Sequence, residues 1–213
     1  MNRFFAFYLL LLSWAAASVP APAIQNDRVI ACEETVSPAA VESPGEGLPN
    51  ATVFLNDAVV SRTPDGGKPV TLTVRRGDVI FRGPKDGRIE ASGGTEVRLV
   101  RVDILGAGSK ATWGRAGLAP DYRLLFENGY VRVYNIFVAA GTSEPQHTHH
   151  NRVVVCLSGA QMRHILPDGS VQDSSLRTGD CLWRPGQTHI GTNVGRTDLW
   201  VIAVEPKGFS PGP

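Results

Sequence analysis

Apolar residues along this chain come in short, alternating runs separated by turn-forming residues, and no long stretch repeats at helical spacing. YVRVYNIFVAAG (130–141) alternates and is rich in β-branched and aromatic side chains, the composition of a half-buried strand. RVVVCLSG (152–159) is a short apolar run closed by Gly159, and Pro167-Asp168-Gly169 marks a turn. GDCLWRPG (179–186) reads as a strand bracketed by Gly179 and Pro185-Gly186, and DLWVIAVEP (198–206) as a last strand that Pro206 stops. Turn signals recur roughly every ten residues, the spacing of a β-sandwich or barrel.

The pattern repeats itself. Thr52 onward, TVFLNDAVVSRTPDGG…LTVRRGDVIFRGP, matches Val154 onward, VVCLSGAQMRHILPDGS…SSLRTGDCLWRPG. Leu55 falls on Leu157, Ala58 on Ala160, Gly77-Asp78 on Gly179-Asp180 and Arg82 on Arg184, a constant offset of 102. Residues 25–29 meet 127–131 and residues 94–97 meet 196–199 at the same offset. Apolar and turn positions coincide together, which implies a duplicated β domain. The expected organisation is a leader (1–23), a first barrel (24–105), a Gly/Ala-rich linker (106–121), a second barrel (122–207) and a short tail (208–213).

The first residues change the picture of location. Arg3 precedes an apolar run, Phe4–Leu12, and small residues follow to Ala17. That is the order of a cleavable export signal, ending after Ala17 or Ala23, and the run is too short to span a bilayer. A periplasmic or extracellular protein is therefore expected. Without Arg3, the remaining 20 Lys+Arg balance 20 Asp+Glu. No basic excess remains for nucleic acid and none for an acidic membrane, so the expected partner is a small molecule or a protein. Cys32, Cys156 and Cys181 are too few for a disulfide framework; they read as buried fillers, with Cys156–Cys181 as the pairing an oxidising compartment would permit.

The chemistry sits in the second copy. His147 and His149 are two residues apart, so a strand would aim both at one face. His189 follows the Pro185-Gly186 turn some 40 residues on, and a barrel could bring the three together. Three neutral imidazoles with open positions suit a divalent transition ion (Fe, Zn, Ni, Cu or Mn) better than Mg or Ca. Arg152, Gln161, His164 and Trp183 are candidate pocket-lining positions, Trp183 with a core role as the stronger reading. Glu144, an odd number of residues from His147, is expected to face away.

Gly141, His147-Thr-His149 and Gly159 resemble the first cupin motif, and Gly179, Pro185, His189 and Asn193 are similar to the second. The resemblance covers 127–205 well and the first copy only through the repeat. It implies an all-β chain of two tandem cupin-like jelly-roll barrels, with a metal in the mouth of the second. The family's usual glutamate ligand falls on Arg152, which cannot coordinate a cation, leaving a site of three histidines or one completed by a water or another side chain. In the first copy the ligand positions are Gly45, Gly47 and Gly87, so that barrel is expected to lack a metal and to pack against or cover its partner through sheet edges. The implied activities are metal-dependent oxygenation or isomerisation of a small molecule. A non-catalytic ligand- or metal-binding module and a purely structural protein are the alternatives. Sheet-mediated homodimers are also implied, although duplication within one chain offers the same contact internally.

Overall fold

A computed structural model describes residues 22–43, 47–111 and 119–208. The expected export signal lies outside these residues. All regular structure in them is β, and they contain no helix long and apolar enough to cross a membrane. The first half holds β1 (Ile24–Gln25), β2 (Val29–Val36), β3 (Asn50–Phe54), β4 (Ala58–Arg62), β5 (Val70–Val74), β6 (Val79–Arg82), β7 (Glu90–Ala91) and β8 (Val97–Ile104). The second holds β9 (Tyr122–Glu127), β10 (Val131–Val138), β11 (His147–His149), β12 (Arg152–Ser158), β13 (Gln161–Ile165), β14 (Val171–Ser175), β15 (Cys181–Arg184), β16 (Gln187–Asn193) and β17 (Leu199–Pro206).

Each half pairs its long strands into a five-stranded sheet, β1-β2-β8-β3-β6 or β15-β12-β17-β10-β9. A smaller sheet, β5-β4-β7 or β11-β16-β13-β14, closes the other wall. The 102-residue offset is kept in the pairing itself. Val29 faces Ile104 as Val131 faces Pro206, Ala51 faces Val102 as Val153 faces Val204, and Val60 faces Ala91 as Met162 faces Asn193. Gly159, the glycine after β12, has a steric reason: a Cβ there would meet the Leu176 carbonyl oxygen at 2.2 Å.

Strand alternation sorts side chains onto two faces. On β10, Val131 and Val133 join Val29, Ala51, Val102, Val153 and Val204 in a buried core shared by the two barrels. Tyr134, Ile136 and Val138 point instead into the second barrel. The barrels therefore meet face to face across their five-stranded sheets. No strand pairing joins them among the described residues, which corrects the expectation of an edge contact. Around the shared core, Phe81 stacks on Tyr130 at 5.8 Å, and Arg76 lies over Trp200 while donating to the Leu157 carbonyl.

Trp183 belongs to this shared core. It pairs with Val153, whose side chain faces the first barrel, so alternation carries Trp183 out of the pocket and Leu182 and Arg184 inward. Gln161 is corrected for the same reason: Met162 and His164 face inward on β13, and Gln161 points to solvent, where its amide donates to Ser175. The three cysteines are free thiols; Cys156 faces the second-barrel interior, while Cys181 packs against the shared core.

Candidate metal centre

Sheet register assembles the histidines. Antiparallel pairing of β11 with β16 sets His147 directly opposite His189, with His149 on the same face two residues along. All three are buried, and their donor atoms lie within 4.8 Å of one another. His147 Nδ1 donates to the Pro145 carbonyl at 2.8 Å, so its Nε2 carries the lone pair. His189 Nδ1 lies 3.0 Å from Gln187 Oε1, an acceptor that fixes its tautomer in the same sense. Burial, the largest cause, holds all three below the ordinary histidine pKa; His189 is pushed down to about 3, and Arg152 adds to the effect. The trio is thus neutral at physiological pH, the state a ligand needs.

One further donor converges here, with a buried carboxyl behind it. Tyr122, the first residue of β9, puts its hydroxyl 3.2 Å from His147 Nε2 and 3.1 Å from His149 Nε2, and those nitrogens are 3.0 Å apart. Glu144 is buried rather than turned away, which corrects the sequence reading. Counting by twos fails because residues 142–146 are not a regular strand: Ser143 forms an isolated bridge to Thr192, and the Glu144 amide donates to the Gly191 carbonyl. The Glu144 carboxyl fills the place a side chain on Gly191 would take, since a Cβ there would lie 2.6 Å from Oε2. Burial first, then Asp121, raises its pKa to about 7, although Tyr122 donates a hydrogen bond to it. Its Oε1 is buried without a hydrogen-bond partner.

The donor set therefore fits a cation. Unprotonated imidazole nitrogens and a phenol oxygen meet at 3.0–3.2 Å, beside a buried carboxylate oxygen with no donor of its own. Donors held about 2.0–2.1 Å from one ion stand roughly 2.8–3.4 Å apart in octahedral or tetrahedral geometry, which the separations among His147, His149 and Tyr122 match.

Beside the trio opens a cavity of about 260 Å³. Ile136, Val154, Met162 and Leu199 form its apolar wall, and Glu144, Arg152, His164 and Arg184 its polar side. His164 pairs across β13–β16 with Gly191 and lines the pocket, its ring centroid 4.4 Å from that of His189 at a tilt of 54°. Burial and Arg152 push its pKa down to about 4.

The first barrel uses the equivalent space differently. Gly47 and Gly87 stand where His149 and His189 stand, and Gly45 lies outside the described residues. Arg82, the counterpart of Arg184, ion-pairs inside with Glu42, the counterpart of Glu144. Arg101 is bound to Asp103 at 3.1 Å and to Glu34 at 3.5 Å. This half replaces the histidines with a buried ion-pair network.

No protein-family model and no curated protein sequence matches the chain. Solved structures do match in fold. AerE from Microcystis aeruginosa shares 13% identity over 88% of this chain and 97% of its own, with a TM-score of 0.60. Oxalate decarboxylase from Bacillus subtilis, described with Mn(II) centres, shares 12% over 85% and 70%, TM-score 0.59. Salicylate 1,2-dioxygenase from Pseudoaminobacter salicylatoxidans, solved with gentisate, shares 12% over 85% and 69%, TM-score 0.59. The chain has the fold of the cupin superfamily in its two-barrel arrangement.

Proposed function

We propose that the second barrel holds one divalent transition-metal ion through His147, His149 and His189, and that the protein is a metal-dependent oxygenase or isomerase acting on a small molecule. The observation that carries this reading is the donor set: three buried neutral imidazoles, two with their second nitrogen committed to an oxygen acceptor, beside a pocket. Tyr122, with its hydroxyl 3.1–3.2 Å from two of the imidazole nitrogens, adds a fourth donor where the usual glutamate position, Arg152, is unsuited, and Glu144 supports the centre through its hydrogen bond with Tyr122. A bound ion would supply Lewis-acid activation or, for a redox-active metal, a site for O2.

The chain's own residues supply the rest. Ile136, Val154, Met162 and Leu199 exclude water and hold the apolar part of a ligand. Glu144, with a pKa of about 7, can take or give a proton at its carboxylate near neutral pH. The first barrel buttresses the second through the shared core. Export is part of the proposal, supported by the charged, apolar and small-residue order of the first residues.

The test is metal-loaded protein offered thiol, diketone and hydroxy-acid panels, with O2 uptake and product formation followed. Turnover that disappears in His149→Ala supports the enzyme; metal bound without turnover on any panel, but with ligand-induced thermal stabilisation, would favour a binding module.

A further inference from the structure

Four arginines are buried among the described residues: Arg82, Arg101, Arg132 and Arg152. Three have a carboxylate in contact: Arg82 pairs with Glu42, Arg101 with Asp103 and Glu34, and Arg132 with Glu205 at 2.6 Å. Among the described residues Arg152 has none within 4.0 Å; its Nη1 makes two long bonds, to the His150 carbonyl at 3.3 Å and the Pro185 carbonyl at 3.4 Å. Arg184 is directly opposite Arg152 in the β12–β15 pair, so both project to the same side, into the pocket beside the histidines. Among the described residues Arg184 also has no carboxylate in ion-pair contact: Glu144, whose counterpart Glu42 neutralises Arg82 in the first barrel, is turned toward Gly191 and Tyr122.

A protein rarely buries a guanidinium without a counter-charge. Here a buried guanidinium and a half-buried one stand side by side on a pocket wall. Burial first, with Arg184 adding to it, holds Arg152 below the ordinary arginine pKa, against the opposing pull of Tyr122, Glu205 and Glu144, none of which contacts it as an ion pair. The planar donor fork of arginine matches a carboxylate in bidentate fashion. We propose that Arg152 and Arg184 form the recognition site for the carboxylate of a small organic acid, which is the substrate class of this pocket. The proposal rests on the metal reading for what happens next to the acid, but not for its capture. The apolar residues of the same pocket take the acid's carbon skeleton, and His149 and His189 line it as well.

The test is calorimetric titration of the full chain, metal-loaded and chelator-treated, with salicylate and succinate against salicylamide and succinamide. At least one acid should bind at least about tenfold more tightly than its amide, as expected when a charge-assisted contact is exchanged for a neutral one. Arg152→Gln and Arg184→Gln should each cut that preference severalfold while metal content is unchanged. If Arg152→Gln fails to fold, the half-buried Arg184→Gln carries the test alone. Equal binding or equal failure to bind of acids and amides overturns the proposal, as does a preference that survives in Arg184→Gln. Failure of the metal reading shows separately, as absence of bound ion, and acid preference is still measured in the chelated protein.

Discussion

Gly191→Ala perturbs the centre without touching a ligand. The new Cβ would lie 2.6 Å from Glu144 Oε2, against ordinary contacts of 3.4–4 Å, so the carboxyl must retreat by about 1 Å. It cannot swing freely, because its backbone amide is bonded to the Gly191 carbonyl and Tyr122 holds its side chain. Alanine gains about 0.5–1 kcal/mol over glycine within a strand, and overpacking costs about 1–3 kcal/mol, so net destabilisation should stay below about 2.5 kcal/mol. The larger effect falls on the ion. Displacing a carboxylate that supports a metal site weakens affinity about 10–100-fold, or about 1.4–2.7 kcal/mol. Competition against a chromophoric chelator measures affinity, and a urea melt measures stability. In Gly191→Ala/Glu144→Ala the clash is gone, so the double variant should bind no worse than Glu144→Ala alone, a non-additivity expected of touching groups. Wild-type affinity in a folded Gly191→Ala protein, or full additivity of the two losses, would refute the role given to Glu144.

Other consequences follow from the same geometry. Tyr122→Phe should remove a phenolate-to-Fe(III) charge-transfer band from Fe(III)-loaded protein, measured by visible absorption; a band that persists would place the phenol outside the coordination sphere. Metal-free protein should lose stability as pH falls below about 6.5, because the unfolded chain then takes up protons that the buried His164 and His189 refuse until about pH 4 and about pH 3. The loss is about 1–2 kcal/mol per histidine by pH 5, by urea melts across pH, and the slope should shrink in His164→Gln/His189→Gln. In the first barrel, Arg82→Ala strands the Glu42 carboxylate and should cost about 3–5 kcal/mol, whereas Arg82→Met/Glu42→Leu should come within about 1–2 kcal/mol of wild type in the same melts.

Much of this was legible in the chain because β structure writes its own period. The 102-residue repeat foretold the strand registers, and the two-residue spacing of His147 and His149 foretold a common face. Where alternation was not applied, Gln161 was misplaced, since it cannot share a face with His164, whereas Trp183 packs in the core, as its stronger reading expected. Glu144 escaped because its segment leaves strand geometry before Pro145; its repeat partner Glu42, beside Arg82, was the signal available. Tyr122 opens β9 at the end of the linker, and its repeat counterpart at position 20 lies outside the described residues, so no pairing pointed to it. The unpaired state of Arg152 and Arg184 depends on where Glu144 points, a tertiary fact that no spacing encodes.

The most direct measurement is elemental analysis of untagged protein purified from its native source, beside a folded His147→Ala/His189→Ala variant. About one transition-metal ion per chain in the wild type, falling to near zero in the variant, is the predicted result. An ion-free wild type that also fails to load Fe, Mn, Zn, Ni or Cu, or equal metal content in the variant, would contradict it.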